Sequence, residues 1–242
     1  MPVLNKAFKV LFIVVFLLVG FLFLARQPLF EINKITVSIL NEDKMYQEIP
    51  SQLKAELFAF QGKSFFDVPL QKVIEVAEKD IRVKEAHVFR RVPGRLNVEL
   101  VLKQPYAVLI GKSDQKFPIA REGDLLPALS PGEFVDMPFL RGNEFENNQN
   151  RRKEVIEFLL QLPTEGPFTE TSISEIWFRK KEGFTFFVGP EASEVFLGDR
   201  LDHKKVLEIN KVLKYMKSKQ LSGRIIDARF PKKVVVRLRN EN

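Results

Sequence analysis
The chain has 242 residues, no cysteine, two histidines and a formal net charge of +7. Without cysteine there is no disulfide framework, no thiolate nucleophile and no zinc–thiolate site. Lys6, Lys9 and Arg26 supply three of the positive charges, so the region from Phe30 onward carries +4 on a surface of mixed sign. That is too dispersed for the basic face that nucleic-acid binding asks for.

Val10 to Ala25 contains no charged residue and consists almost wholly of Val, Leu, Ile and Phe. At about 1.5 Å per residue it rises ~24 Å. Ala7, Phe8 and a snorkelling Lys9 stem extend it to roughly 28 Å, near the ~30 Å hydrocarbon core. A transmembrane helix over 10–26 is therefore expected, with residues 1–9 as a cytoplasmic tail. A cleaved signal peptide is the competing reading, but Ala25 has Phe23 rather than a small residue two positions before it. Arg26 and Lys34 lie close behind the run and weaken the basic-residue bias. The short N-terminal tail favours the tail inside and the bulk outside.

Glu31 to Ile39 is rich in β-branched residues, with Ile35, Val37 and Ile39 alternating with polar positions, and reads as a strand. Pro50-Ser51 opens a helix with Leu53, Leu57 and Phe60 at helical spacing, ended by Gly62. A second helix follows, with Asp67 as its expected cap, Pro69 in its first turn and Leu70, Val73, Ile74 and Ala77 as its apolar stripe. Phe65 and Phe66 are expected beneath the two helices. Ala86 and Val88 before Val92-Pro93-Gly94-Arg95, and Leu96, Val98, Leu100 and Leu102 after it, predict a hairpin. The order β-α-α-β-β over 30–103 suits one small two-layer domain.

Gln104-Pro105 opens a second domain over 104–242. Short apolar segments at Val108-Leu109-Ile110 and Phe117-Pro118-Ile119 precede a helix carrying Val155, Ile156, Leu159, Leu160 and Leu162. Strands are expected over Ile173–Phe178, Phe184–Val188 and Glu194–Leu197, and Trp177 is expected to bury against their sheet. A helix from Asp202 to about Lys217 should bury Val206, Ile209, Leu213 and Met216. Arg224–Phe230 and Val234–Arg239, joined by Pro231-Lys232-Lys233, close the chain, with Val234, Val236 and Leu238 sharing the core face. Glu144 to Asn150 reads as a mobile loop. The expected fold class is α+β: the transmembrane helix, the β-α-α-β-β domain, then a mainly antiparallel β domain with two helices.

Catalytic signatures are weak. Gly62-Lys63-Ser64 and Gly111-Lys112-Ser113 lack the earlier glycine of a phosphate loop, with Leu57 and Tyr106 in its place. His87, on an expected strand, and His203, at an expected helix start, suit surface roles. No catalytic residue, cofactor, metal or small-molecule substrate is assigned. Lys204, Lys205, Lys211, Lys214 and Lys217 read as a solvated helix face, with Lys204 and Lys205 as candidates to meet an acidic partner.

Several segments resemble the FtsQ/DivIB family of bacterial division proteins. They are Gly62-Lys63-Ser64-Phe65-Phe66, Val83 to Val88, Val92 to Leu96, Pro105-Tyr106-Ala107, Val195-Phe196-Leu197-Gly198 and Ile226-Asp227-Ala228-Arg229-Phe230-Pro231. Arg82 and Lys103-Gln104 depart from the family pattern. The resemblance implies a POTRA-like domain over 30–103 and a non-enzymatic scaffold of the divisome. It also implies an inner-membrane location at the septum with periplasmic domains, and FtsB- and FtsL-like single-pass partners. The implied contact is the C-terminal edge strand, with Arg229, Phe230, Val235 and Arg237, beside Lys204 and Lys205, as partner-binding residues. A POTRA-bearing assembly or secretion factor and a membrane-anchored periplasmic enzyme are the alternatives.

Overall fold
Alternating apolar and polar residues build two sheets, each backed by helices, in the computed structural model. It describes residues 2–25, 31–41, 49–130, 132–133 and 135–239. Among these, six helices and eleven strands form, and the chain divides into two compact units, Met1–Lys103 and Gln104–Asn242.

The N-terminal helix α1 (Pro2–Ala25) forms, but it corrects the expected transmembrane helix. No helix among the described residues is long and apolar enough to cross a membrane. Residues 26–30 and the side chains of the expected 1–9 tail before Phe8 lie outside the described residues. The described residues are thus mixed α/β, and the expected fold class is corrected in that no membrane-crossing helix is found among them.

In the first unit, β1 (Lys34–Ile39), α2 (Ser51–Phe58), α3 (Leu70–Glu78), β2 (Val83–Arg91) and β3 (Arg95–Leu102) follow in order. The sheet order is β1-β3-β2, with β1 parallel and β2 antiparallel to the central strand. Ile35, Ala86, Val88, Leu96, Val98, Leu100 and Leu102 are buried against Leu53, Leu57, Val73 and Ala77 of the helices. Gly94 at the hairpin turn has φ +57°, and a methyl group there would collide with the Glu31 carbonyl. This close approach lets the Asn33 amide donate to the Gly94 carbonyl at 2.8 Å, docking the hairpin against the start of β1.

Two local expectations fail in this unit. Asp67 is exposed and does not cap α3; Pro69 occupies the cap position with extended backbone and makes no side-chain cap bond. Proline's fixed φ turns the chain into the helix without a capping oxygen. Phe65 is buried as expected, whereas Phe66 is 49% exposed. Arg90 accounts for the order of this loop, donating from Nε to the Phe65 carbonyl at 2.8 Å and from Nη2 to the Val68 carbonyl at 2.5 Å.

In the second unit an eight-stranded sheet has the order β11-β10-β9-β8-β7-β6-β4-β5. The strands are β4 (Pro105–Ile110), β5 (Lys116–Ala120), β6 (Phe139–Arg141), β7 (Ile173–Arg179), β8 (Gly183–Val188), β9 (Ser193–Gly198), β10 (Gly223–Asp227) and β11 (Val235–Leu238). Antiparallel pairing predominates in this sheet, and β4–β6, β6–β7 and β9–β10 are shorter parallel pairs. Helices α5 (Gln149–Leu160) and α6 (His203–Ser218) share one core with it, centred on Phe145, Phe158, Phe168, Phe184 and Phe186. The expected loop over 144–150 instead forms α4 (Asn143–Asn147) and the first residues of α5, because Phe145 is driven into this core. Leu160, expected on the buried stripe, is 37% exposed at the last residue of α5. Trp177 is half-buried, with the Arg179 guanidinium 4.9 Å from its ring and Phe187 at 5.7 Å.

Candidate partner-binding site
Ile226 and Ala228 are buried, and the Ala228 amide donates to the Phe196 carbonyl at 2.9 Å, extending the pairing of β10 with β9 by one residue. Strand alternation then leaves Asp227 and Arg229 off the core. Arg229 donates from Nε to Asp227 Oδ1 at 2.9 Å and from Nη2 to Oδ2 at 2.6 Å, a two-pronged ion pair. Its Nη1 donates to the Lys181 carbonyl at 3.0 Å, and its guanidinium lies 5.4 Å from the Phe196 ring. Gly198 has φ +87°, and a methyl group added there would lie 3.5 Å from the Arg229 stem, in ordinary contact with it. Arg229 is therefore held by contacts within its own unit.

The electrostatics follow from this geometry. The hydrogen bond from Arg229, with its charge and that of nearby Lys205, holds the Asp227 carboxyl below its ordinary value, against the opposing effect of burial. Asp227 in turn raises the Arg229 guanidinium. Asp202 caps α6 by accepting from the Lys204 amide at 2.9 Å. Lys204, Lys205 and Arg229 line one open cleft of about 840 Å³, with Lys181, Glu182, Asp199 and Arg200 at its walls.

Three of the six expected site residues thus share a cleft, and the others lie along the following chain. Phe230 is 41% exposed, not core, with the Lys233 ammonium 5.3 Å from its ring. Val235 is 43% exposed and Arg237 is exposed on β11. Val234 and Val236 lean on the core as expected, but Leu238, at 45% exposed, does not. Strand β11 pairs with β10 on one side and forms one end of the sheet. At the other end, β5 is covered: the Leu126 and Leu129 amides donate to the Pro118 and Lys116 carbonyls, each at 2.8 Å. Among the described residues, β11 is therefore the open sheet edge of this unit.

Asp227 and Lys181 were not among the expected site residues. Asp227 carried a signal, its two-residue spacing from Arg229. Lys181 contributes a backbone oxygen, which its side-chain identity does not announce. His87 is exposed on β2, and His203 stacks against Phe158 at 4.7 Å between centroids, so each has a simple packing or surface explanation. No group of three or more His, Cys, Asp or Glu side chains able to hold a metal occurs among the described residues.

No protein-family model matches the chain. It is similar to the protein named Cell division protein FtsQ of Geotalea daltonii, 24% identical over 221 residues, spanning 88% of this chain and 78% of the relative. It is also similar to Cell division protein FtsQ of Geobacter sp. strain M21, 24% identical over 183 residues, spanning 73% of this chain and 66% of the relative. The resemblance carried by the sequence motifs stands: the chain is similar, at 24% identity, to proteins named Cell division protein FtsQ.

Proposed function
We propose that the chain is a non-catalytic scaffold of the bacterial division machinery that recruits FtsB- and FtsL-type partners by adding a partner strand to β11. In this reading the β-α-α-β-β unit is a POTRA-like domain and the protein acts at the septum. The observation that carries the reading is the open β11 edge flanked by an exposed aromatic, Phe230, and a pre-positioned Arg229. Backbone groups of an open edge supply affinity to any strand, and side chains beside it supply selection. Phe230 offers an apolar anchor and the Arg229–Lys204–Lys205 cleft offers positive charge to acidic residues of the incoming segment.

The test is site-specific photocrosslinking in dividing cells from Arg237 and, as a control, from Lys116 on the covered edge. Crosslinks to an FtsB- or FtsL-type protein from Arg237 and not from Lys116 are expected. Deletion of Val234–Asn242 should abolish co-purification of that partner while leaving the rest of the protein folded. Equal crosslinking from both edges, or partner recruitment that survives the deletion, would overturn strand addition at β11.

A further inference from the structure
We propose that the open face of the three-stranded sheet in the first unit is a second protein-docking surface, at which Lys34, Arg95 and Arg91 receive an acidic segment of a partner protein. This surface is separate from the β11 edge. Its basis is the register of three adjacent strands. Lys34 of β1 pairs with Arg95 of β3, and Arg95 pairs with Arg91 of β2, so three cations occupy one row across the sheet. Buried Ile35, Val88 and Leu96 fix the parity, so the three cations stand on the face away from the helices. All three are exposed, and none of their side chains forms a hydrogen bond or ion pair among the described residues.

Like charges placed directly opposite one another destabilise a sheet. The arrangement contrasts with that of neighbouring Arg90, which lies on the other face and is consumed by the Phe65 and Val68 carbonyls. The next row on the open face holds Thr36, Asn97 and Phe89, and Phe89 is 44% exposed. An aromatic beside unpaired arginines is the usual composition of a protein-recognition anchor.

The same register decides which anionic partner fits. Glu99 stands two rows beyond Arg95, roughly 13 Å along the strand, paired with His87, and Glu85 follows in the next row opposite Val101. A broad anionic surface, such as a lipid bilayer laid on this face, would press against both glutamates. A narrow acidic segment crossing the strands at the basic row, with an apolar residue on Phe89, would not. The surface therefore fits a carboxylate-bearing polypeptide.

Fluorescence anisotropy on the full chain, with a labelled peptide of alternating glutamate and leucine as probe, tests this at low salt. Binding should fall roughly tenfold or more in Arg91→Glu/Arg95→Glu and several-fold in Phe89→Ser, and should weaken as salt rises. Arg95→Glu alone sets a carboxylate between Lys34 and Arg91, so its thermal midpoint should hold or rise while peptide binding is lost. A residue kept only for folding would show the opposite pattern. A second arm titrates phosphatidylglycerol vesicles and is read as the difference between wild type and the Arg91→Glu/Arg95→Glu variant. Absence of peptide binding by the wild type, equal binding by the variants, or charge-dependent binding of vesicles in place of peptide would each overturn the proposal.

Discussion

Arg229 lies across Asp227 with Nε 2.9 Å and Nη2 2.6 Å from the two carboxylate oxygens, and its backbone amide donates to Oδ1 at 3.1 Å. Arg82 holds Asp80 in the same way, with Nε at 2.8 Å, Nη2 at 2.7 Å and the amide at 3.0 Å. Each unit thus contains one Asp-x-Arg clasp, in which a two-residue spacing lets one carboxylate serve both the arginine side chain and its own amide. In the second unit the clasp does more than tie a turn: its arginine lines the cleft that also holds Lys204 and Lys205.

The clasps make stability sensitive to acid. Burial alone would raise the Asp80 carboxyl, but the Arg82 side-chain and amide hydrogen bonds and its charge outweigh burial and leave it lowered. Asp227 is lowered chiefly by its hydrogen bond from Arg229. With folded values below the ordinary 3.8, the folded state binds fewer protons than the unfolded state in this range. Their stabilisation is therefore present above about pH 5 and is lost as pH falls below ~4 through the folded values. Thermal midpoints measured from pH 7 to pH 2 should show a shallower acid limb for Asp227→Asn, converging with wild type at the acid end. Parallel curves across the whole range would sink this assignment.

Arg152 is the internal brace of the second unit. It is 7% exposed, and its guanidinium donates to the carbonyls of Gly123 at 2.7 Å, Phe145 at 2.6 Å and Glu146 at 3.2 Å. These acceptors come from the β5-side turn and from α4, so one side chain fastens two segments to α5. Arg152→Met keeps the stem's packing but strands the acceptors, a loss of about 2–4 kcal/mol. Chemical denaturation should show a lower midpoint with an unchanged slope, and a variant as stable as wild type would count against the brace.

Thr185 presents the opposite case. It is fully buried in β8 and its hydroxyl has no hydrogen-bond partner among the described residues. Thr185→Val replaces that hydroxyl with a methyl of similar size and removes a buried unsatisfied group. A stability gain of about 1 kcal/mol is expected, read as a raised denaturation midpoint. A loss of that size would show that the hydroxyl is satisfied in solution.

Local periodicity made much of this architecture legible. Alternation at Leu96, Val98, Leu100 and Leu102 marked β3, and the helical spacing of Val206, Ile209 and Met216 marked α6, because burial acts directly on those side chains. Features defined by distant backbone were not legible. Phe139–Arg141 is too short to show a period, yet it makes two of the parallel pairs of the sheet. Arg152 reads as a surface helix residue until residues 123, 145 and 146 are brought around it. At the candidate site, Arg229 and Phe230 were legible as a basic–aromatic pair ahead of a final strand. The Lys181 carbonyl that helps hold Arg229 was not.

The exposure of Phe230 separates recognition from folding at that pair. A core phenylalanine cut to alanine costs several kcal/mol of stability, about 3–5 in well-packed sites. Phe230 is 41% exposed and packed by Lys233 rather than by the core, so Phe230→Ala should move the thermal midpoint little. As an anchor beside the strand edge it should still cost about 2 kcal/mol of partner binding, a roughly thirty-fold weaker complex. Arg229→Gln should weaken binding as well, and the deficit should shrink at high salt if Arg229 meets an acidic partner group. Unlike Phe230→Ala, it should also lower stability modestly, because it breaks the clasp with Asp227 and the bond to the Lys181 carbonyl. The two substitutions thus have different signatures in paired calorimetry and denaturation measurements. A Phe230→Ala protein that unfolds early, or one that binds an FtsB-type partner as tightly as wild type, would remove Phe230 from the interface.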